Sequence, residues 1–323
     1  MFGRLLRSRR RMARMDPHAS RLRRPVISIG NVSMGGRGKT PLTALVARLL
    51  VEAGERPAIL SRGYGRTVID DGVTVVSDGR VAADGCVDPS HFAGLAQSGD
   101  EPLMLANAVP GAAVLVCEQR ALAGALAETS LGCTVHILDD GFQHHQLRRD
   151  VDIVLVTAQD LVARAIPFGR LREPIDSLND ADAVIFDGDP VTLDGVIADR
   201  PEFVGALRRS LGTPSYALES GARVVAVAGI ATPARFFASL AAAGWTLSET
   251  LPFRDHHAFS ASDARRIGDA ATRSGAAAIL VTSKDVLKLA ALGPWPVPLV
   301  EMPLDVNVDP ADEFRTWLLA SIA

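Results

Sequence analysis

The chain contains few cysteines, few tyrosines and tryptophans, and no long apolar run. Cys86, Cys117 and Cys133 are odd in number and form no C-x-x-C pair, which argues against a disulfide framework and against structural zinc. Two tyrosines and three tryptophans provide few rings for stacking bases, so we expect no nucleic-acid partner. No apolar run approaches the roughly 18 residues that cross a bilayer, which predicts no transmembrane span.

Lysine is also scarce, and the other basic residues are unevenly distributed. Lys39 is the only lysine in the first 283 residues, and Lys284 and Lys288 are the other two. Nine of the chain's 34 basic residues are arginines within residues 1–24, where Asp16 is the one acidic residue. The remainder is net acidic, so the basic leader (residues 1–24) is expected to have a partner of its own.

The leader has the pattern of an amphipathic helix. Arginine interrupts it too often for a secretory signal peptide, so we expect it to stay on the protein. At 100° per residue its apolar side chains fall within about 120°, with arginines opposite. An arginine-faced helix of this kind binds an anionic membrane interface. A solvated basic tail or a helix packed on the body remains the alternative. The two faces are formed by Phe2, Leu5, Leu6, Met12 and Ala13, and by Arg4, Arg7, Arg10, Arg11 and Arg14.

After Pro25 the pattern changes to short apolar runs separated by helical stretches, which predicts parallel strands with crossover helices. A second series of runs begins at Arg223, after a proline-rich segment. We therefore expect two α/β/α domains, at 25–190 and 223–323, with a linker at 191–222. The predicted strands are Val26–Ile29, Ala58–Leu60, Val73–Val76, Ala113–Val116, Val135–Leu138, Ile153–Val156, Ala183–Phe186, a run from Arg223, Ala277–Thr282 and Pro298–Glu301.

The strongest motif is a glycine-rich turn between the first strand and a helix from about residue 41 to 51. Glycines let backbone N–H groups converge on phosphates, and the helix N-terminus adds its positive dipole end. Lys39 is expected to reach the β- and γ-phosphates of ATP, and Thr40 to bind Mg²⁺. The larger domain is thus predicted to be P-loop NTPase-like, with a mainly parallel sheet; the alternative is a purely structural turn. The nucleotide-binding residues are Ser33, Met34, Gly35, Gly36, Arg37, Gly38, Lys39 and Thr40.

Acidic residues follow another apolar strand, as a nucleotide-bound magnesium ion requires. Asp139 and Asp140 come directly after Val135–Leu138, although an aspartate is also common at any strand exit. Asp100 begins a predicted helix, where capping is the commoner role. Arg172 and Glu173 can contact phosphate and Mg²⁺, or remain surface charges.

Eight ordered blocks between about residues 25 and 285 resemble the tetraacyldisaccharide 4′-kinase family. One departure is Ser283, where the family commonly has Glu. The blocks are Gly30–Asn31 with Gly35–Thr40, Ser61–Arg66, Gly99–Pro102, Leu138–His144, Pro167–Pro174, Gly229–Ile230, Asp255–His256 and Thr282–Asp285.

The resemblance implies a monomeric kinase that phosphorylates the 4′-hydroxyl of an acylated glucosamine disaccharide 1-phosphate at the cytoplasmic face of the inner membrane. It implies that Asp100 acts as base, paired with His256 from the smaller domain across a cleft. It also implies that Asp139, Asp140 and Glu173 surround the metal, with Gln143 and Arg172 nearby. Which of Asp100 and His256 holds the proton stays open.

Two other functional classes share parts of this pattern. Membrane-partitioning ATPases join a similar loop to an amphipathic helix, but they carry a lysine where this chain has Met34. A soluble small-molecule kinase or ligase has no use for an arginine-faced leader. Both features favour the lipid kinase.

Overall fold

The computed structural model describes residues 19–35, 38–68, 72–80, 93–219 and 221–323. Most of the predicted leader helix, and Gly36 and Arg37 of the phosphate loop, lie outside these residues. The chain divides into two compact units: a large unit of residues 1–208 with 306–323, and a small unit of residues 209–305. Within the described residues, no helix is long and apolar enough to span a bilayer.

The described residues form thirteen strands and eight α-helices. The strands are β1 (Val26–Asn31), β2 (Pro57–Ser61), β3 (Thr74–Asp78), β4 (Ala113–Val116), β5 (Val135–Asp139), β6 (Val151–Val156), β7 (Ala183–Asp187), β8 (Phe203–Leu211), β9 (Arg223–Ala228), β10 (Thr246–Pro252), β11 (Ala278–Val281), β12 (Leu299–Glu301) and β13 (Leu304–Asp309). The helices are α1 (Lys39–Glu52), α2 (Leu95–Ser98), α3 (Asp100–Ala108), α4 (Arg120–Thr129), α5 (Pro233–Ala242), α6 (Ala261–Ser274), α7 (Ser283–Leu289) and α8 (Ala311–Ala320).

The large unit is built on a nine-stranded sheet in the order β13-β8-β7-β6-β1-β5-β2-β4-β3. The strands from β8 through β4 are parallel, and β3 runs antiparallel to β4 at the edge. All six residues of β1 are buried, as expected of a central parallel strand covered on both faces. Helix α1 turns Leu42, Val46 and Leu50 into the core at a four-residue spacing. The predicted mainly parallel α/β architecture is confirmed.

The position of β1 determines where functional residues can gather. It lies between β5 and β6, and its register pairs Ile29 with Asp139 at the end of β5. The carboxyl ends of parallel strands meet at one edge of the sheet, so the turn after β1 and the acids after β5 lie side by side.

The small unit contains a parallel four-stranded sheet in the order β10-β9-β11-β12. Apolar clusters cover both faces, one around Ile267 of α6 and the other around Leu240 of α5. This is the smaller α/β domain that the second series of apolar runs predicts.

The unit boundaries differ from the predicted domain boundaries at the C-terminal end. Val306 and Val308 of β13 are buried in the core of the large unit, and Phe314 of α8 packs against Phe203 with ring centroids 5.2 Å apart. The predicted linker 191–222 contains β8, and the predicted small domain 223–323 includes two elements that belong to the large unit. Proline spacing marks the segment as irregular, but the apolar run from Phe203 to Leu207 pairs with β7 as a parallel strand.

The end of the predicted leader also packs on the large unit. Glu128 Oε1 accepts hydrogen bonds from the backbone N–H groups of Arg23 and Arg24, each at 2.8 Å. The same oxygen lies 3.1 Å from Nε2 of His136, a ring that is fully buried in β5. Burial lowers the pKa of His136. Helix α4 and strand β5 thus fix the point where the leader joins the body.

Candidate active site

The turn after β1 has the backbone conformation of a phosphate-binding loop. Gly35 and Gly38 have φ angles of +108° and +90°, which only glycine adopts without strain. Gly38 immediately precedes α1, so the first N–H groups of that helix face the turn. Ser33 pairs with Leu171, and Met34 donates its N–H to the carbonyl of Arg170 at 2.9 Å. The segment that contains Arg170 and Leu171 therefore forms one wall of the loop.

Lys39 lies folded over this loop. Its Nζ donates to Asn31 Oδ1 at 3.1 Å and to the carbonyl of Gly35 at 3.5 Å. It also forms an ion pair with Asp140 Oδ1 at 3.3 Å. The side chain is 10% exposed, so this ammonium group is held at a defined point above the loop.

Asp140 links the loop to Arg172. Arg172 Nη1 lies 3.0 Å from Asp140 Oδ2, and its own backbone N–H donates to Val32 at 2.7 Å. Burial alone would raise the pKa of Asp140, but Lys39 and Arg172 outweigh it, so the pKa lies below its usual value. Asp140 has a φ of +52°, which is uncommon outside glycine and indicates a conformation fixed by its surroundings.

Asp139 has a different environment although it is the next residue in sequence. Its Oδ1 accepts a hydrogen bond from Thr43 at 3.1 Å, within the core side of α1. Burial, followed by the charges of Glu101 and Asp140, raises its pKa to about 7. A concentration of acidic charge of this kind is what a bound cation relieves.

The remaining predicted residues of the large unit lie at the same edge or close to it. Gln143 donates to the carbonyl of Asn31 at 2.9 Å and lies 3.4 Å from Arg172 Nη1. Asp100 is buried at the first position of α3, and its Oδ1 accepts from the N–H of Glu101. Glu173 follows Arg172 and is partly exposed. Of these three side chains, Gln143 reaches the phosphate loop through Asn31 and Arg172.

Arg170 has a structural role instead of a place on the phosphates. Its Nη2 lies 2.6 Å from Asp160 Oδ1 and 3.0 Å from Thr157 Oγ1. Asp160 is fully buried and closes the turn after β6, so Arg170 neutralises a buried carboxylate. Of the two arginines in this motif, only Arg172 faces the candidate site.

Arg120, a residue that the sequence motifs do not mark, belongs to the site. It begins α4, is 7% exposed, and donates Nη1 to the carbonyl of Glu118. Its Nε has no hydrogen-bond partner among the residues that the structure describes. Burial and then Arg62 lower its pKa, while Asp139 and Asp140 oppose that shift. The signal in the sequence is position: Arg120 follows β4, whose carboxyl end lies at the same edge as Asp139.

His144 lies near the charges of Arg120 and Arg149. Burial, then Arg120 and Arg149, lower the pKa of His144 to about 4, so the ring is neutral at physiological pH. Arg149 donates to three carbonyls of the turn that carries Gln143 and His144. His144 is therefore a neutral donor or acceptor among guanidinium groups.

The small-unit blocks that resemble the kinase family converge on one cluster. Lys284 Nζ donates to Asp255 Oδ1 at 2.9 Å and lies 3.1 Å from His256 Nε2. His256 has a φ of +58° and donates its backbone N–H to Asp255. Asp285, fully buried, accepts from Gly229 N–H at 2.8 Å and from Thr282 Oγ1 at 2.7 Å. The ends of β9, β10 and β11 thus hold His256 in a fixed position.

The described residues do not form a preassembled metal cage. They contain no group of three or more His, Cys, Asp or Glu side chains arranged to hold a metal ion. Magnesium bound to a nucleotide does not need such a cage, because it keeps waters and takes one or two carboxylates plus phosphate oxygens. The hydroxyl of Thr40 with the carboxylates of Asp139 and Asp140 fits that donor set.

A glycine-rich turn between a central parallel strand and a helix, with lysine over the turn and carboxylates on the next strand, defines a P-loop phosphotransferase. Comparison with known proteins identifies the family. The family model described as LpxK, tetraacyldisaccharide-1-P 4′-kinase, matches residues 1–323, and the chain belongs to this family.

Named relatives and a solved structure agree with that assignment. The tetraacyldisaccharide 4′-kinase of Geobacter metallireducens is 40% identical over 283 residues, covering 83% of this chain and 79% of the relative. That of Koribacter versatilis is 38% identical over 298 residues, covering 90% and 87%. The crystal structure of LpxK from Aquifex aeolicus in complex with ATP superposes with a TM-score of 0.74 at 26% identity, covering 100% of this chain and 96% of the other.

Proposed function

We propose that this chain transfers the γ-phosphoryl group of ATP to the 4′-hydroxyl of a tetraacyldisaccharide 1-phosphate, a step of lipid A biosynthesis. The observation that carries the proposal is the position of Lys39. Its ammonium group is held over the phosphate loop by Asn31 and by the carboxylate of Asp140. A cation fixed between a phosphate loop and an acidic edge is the arrangement that phosphoryl transfer requires.

ATP would be held by the loop N–H groups and by Lys39. Asn31 is an uncharged acceptor, so Lys39 can keep this hydrogen bond while exchanging the Asp140 carboxylate for β- and γ-phosphate oxygens. Arg172 already contacts Asp140, so the carboxylate does not lose all of its positive partners. The loop thus changes one ion pair and leaves its backbone unchanged.

Mg²⁺ would be held by Thr40 with Asp139, Asp140 and Glu173. When bound, it neutralises charge on the phosphate oxygens. The raised pKa of Asp139 and the buried carboxylate cluster that causes it are consistent with a site designed for a cation. Thr43 fixes Asp139, so its carboxylate is oriented before any ion binds.

We assign Asp100 to accepting the proton of the 4′-hydroxyl and His256 to pairing with Asp100, roles carried by the resemblance. Asp100 is buried at the start of α3, after Gly99 with a φ of +82°. In the small unit, Lys284 orients His256. An ammonium group has no lone pair, so His256 Nε2 accepts from it and the ring proton lies on Nδ1.

Arg120 is assigned to the transferred phosphoryl group. Its buried guanidinium has an unpaired Nε–H beside the acidic edge, and a phosphate oxygen is the natural acceptor for such a donor. Lys39 and Arg120 would then neutralise charge from different strands of the sheet.

The arginine-faced leader supports a peripheral location on the cytoplasmic face of the inner membrane, where a monomer would meet its lipid acceptor. The function is tested by ATP consumption with and without the tetraacyldisaccharide 1-phosphate in mixed micelles. Consumption that depends on the acceptor is the expected result. Equal consumption without acceptor would identify a partitioning-type ATPase instead.

A further inference from the structure

An exposed apolar turn lies in the large unit, outside the residues assigned to catalysis. Residues 161–171, here called the apolar turn, present Val162, Ile166 and Phe168 to solvent with exposures of 86%, 51% and 83%. Val162 and Phe168 are more exposed than any other large apolar side chain among the residues that the structure describes. Single exposed apolar residues are ordinary, but three within seven positions form a patch.

The backbone of the apolar turn holds these side chains outward. Ile166 N–H donates to Leu171 at 2.9 Å, Leu171 N–H donates back to Arg164 at 3.1 Å, and Leu171 itself is buried. A side chain at Gly169 would overlap the carbonyl of Arg164, so the two arms of the turn touch. A tightly closed turn cannot bury its own tips, and Phe168 therefore stays available for a partner.

The charge of the apolar turn is of one sign. It contains Arg164 and Arg170 and no acidic residue. Arg170 is bound to Asp160, whereas Arg164 is exposed beside the apolar tips. Apolar side chains at the acyl boundary with a cation at headgroup level are the features that bind an anionic lipid interface.

The position of the apolar turn connects it with the reaction. Leu171 and Arg170 pair with Ser33 and Met34 of the phosphate loop, so the turn is continuous with the wall of the nucleotide site. Met34 is itself 57% exposed. The acceptor of the proposed function carries four acyl chains, so its headgroup reaches the site only if this edge of the large unit lies close to the bilayer.

We propose that the apolar turn inserts into the lipid interface beside the acceptor, as a membrane contact separate from the arginine-faced leader. The inference rests on the proposed acceptor for its purpose. Its physical content, insertion of Val162, Ile166 and Phe168, can be measured without any turnover.

The test is a Phe168→Trp variant of the full chain with vesicles of phosphatidylethanolamine and phosphatidylglycerol that contain brominated acyl chains. We expect vesicle-dependent quenching above that of the parent chain, whose three tryptophans supply the background. A Val191→Trp variant is the matched control, because Val191 is a 41% exposed loop residue of the same unit. Equal quenching of both variants would overturn the proposal.

If residue 168 contacts the nucleotide or a second chain instead of lipid, the fluorescence of the Phe168→Trp variant responds differently. A change at residue 168 on adding ATP without vesicles would mean that the turn covers the nucleotide, and a change that depends on protein concentration would mean a contact between two chains. Either response without vesicle quenching contradicts membrane insertion.

A second readout links insertion to catalysis. Val162→Ser with Phe168→Ser should raise the apparent KM for vesicle-borne acceptor by about 10²-fold, since each buried side chain contributes about one order of magnitude in partitioning. Turnover with detergent-dispersed acceptor should not change. If the chain phosphorylates neither form, the proposed function fails, and the fluorescence result still decides the membrane contact.

Discussion

Lys39 is the residue on which the site depends most directly. Lys39→Ala removes the charge held over the phosphate loop, and turnover should fall by about 10²-fold or more because that charge acts on the developing transition state. Lys39→Arg should not rescue it, since a planar fork cannot replace a point charge at 3.1 Å from Asn31. Lys288→Ala is the matched control among the three lysines. Initial rates and thermal unfolding measure both effects, and near-parental turnover of Lys39→Ala would refute the nucleotide site.

Arg120 supplies a second test at the residue scale. Arg120→Lys keeps a cation but removes the Nε–H that lacks a partner, and we expect about 10²-fold slower turnover with little change in ATP affinity. Arg80→Lys, an exposed arginine on the same unit, should behave like the parent. If Arg120→Lys changes only the unfolding temperature, the guanidinium is a structural group.

Among single residues of the site, the sequence predicts Asp139 and Asp140 better than it predicts Arg120. Asp139 and Asp140 follow an apolar run, and the same edge of a parallel sheet brings them to Lys39. Arg120 also follows a strand, but an arginine at a helix start carries no motif. Its burial and its unpaired donor depend on tertiary packing around Arg62 and His144, which no local pattern encodes.

At the scale of elements, the start of α7 meets the segment after β10 and fixes His256. Lys284→Met should release His256 from a single tautomer, because the donor that occupies Nε2 is lost. Imidazole ¹⁵N shifts, assigned with a His256→Gln variant, should move toward a mixture of tautomers, and turnover should fall while the KM for ATP is unchanged. Lys284→Arg, which also only donates, should restore both.

Lys288→Met is the control for that experiment, because it lies one turn further along α7. Histidine shifts that are the same in Lys284→Met and in the parent would show that Lys284 does not orient the ring.

Most strands could be predicted because each is a short apolar run between helical stretches. All seven runs predicted between residues 26 and 186 are strands in the structure. β8 was predicted as part of a linker because the segment around it contains Pro190, Pro201 and Pro214 and its apolar residues have weak periodicity. Pairing of β8 with β7 supplies the burial that the pattern alone does not show.

At the scale of the whole molecule, the sequence predicts two α/β units but not where the chain returns to the first. β13 and α8 come after the small unit in sequence and pack on the large one, with Arg315 Nη1 2.8 Å from Glu52 of α1. Sequence order alone assigns residues 306–323 to the small unit that precedes them. The packing of Phe314 against Phe203 places the segment on the large unit instead.

The leader is predicted to determine where the whole enzyme is located. Replacing Arg4, Arg7, Arg10, Arg11 and Arg14 with Gln should release the chain from anionic vesicles, since each cation contributes about 1 kcal/mol near such a surface. Salt should weaken binding of the parent in the same direction. Co-sedimentation at low and high salt measures this, with ATP affinity as the control. Undiminished co-sedimentation would transfer the anchoring role to the apolar turn or to the leader's apolar face.

The reaction proposed for this chain places a phosphate on one hydroxyl of a lipid disaccharide. The most direct measurement is ³¹P–¹H correlation NMR of the lipid recovered after incubation with ATP and Mg²⁺, with Lys39→Ala as the blank. We predict one new phosphomonoester whose phosphorus couples to the 4′ proton, formed in step with loss of ATP. A phosphate on any other hydroxyl, or loss of ATP with the lipid unchanged, would contradict transfer to the 4′-hydroxyl.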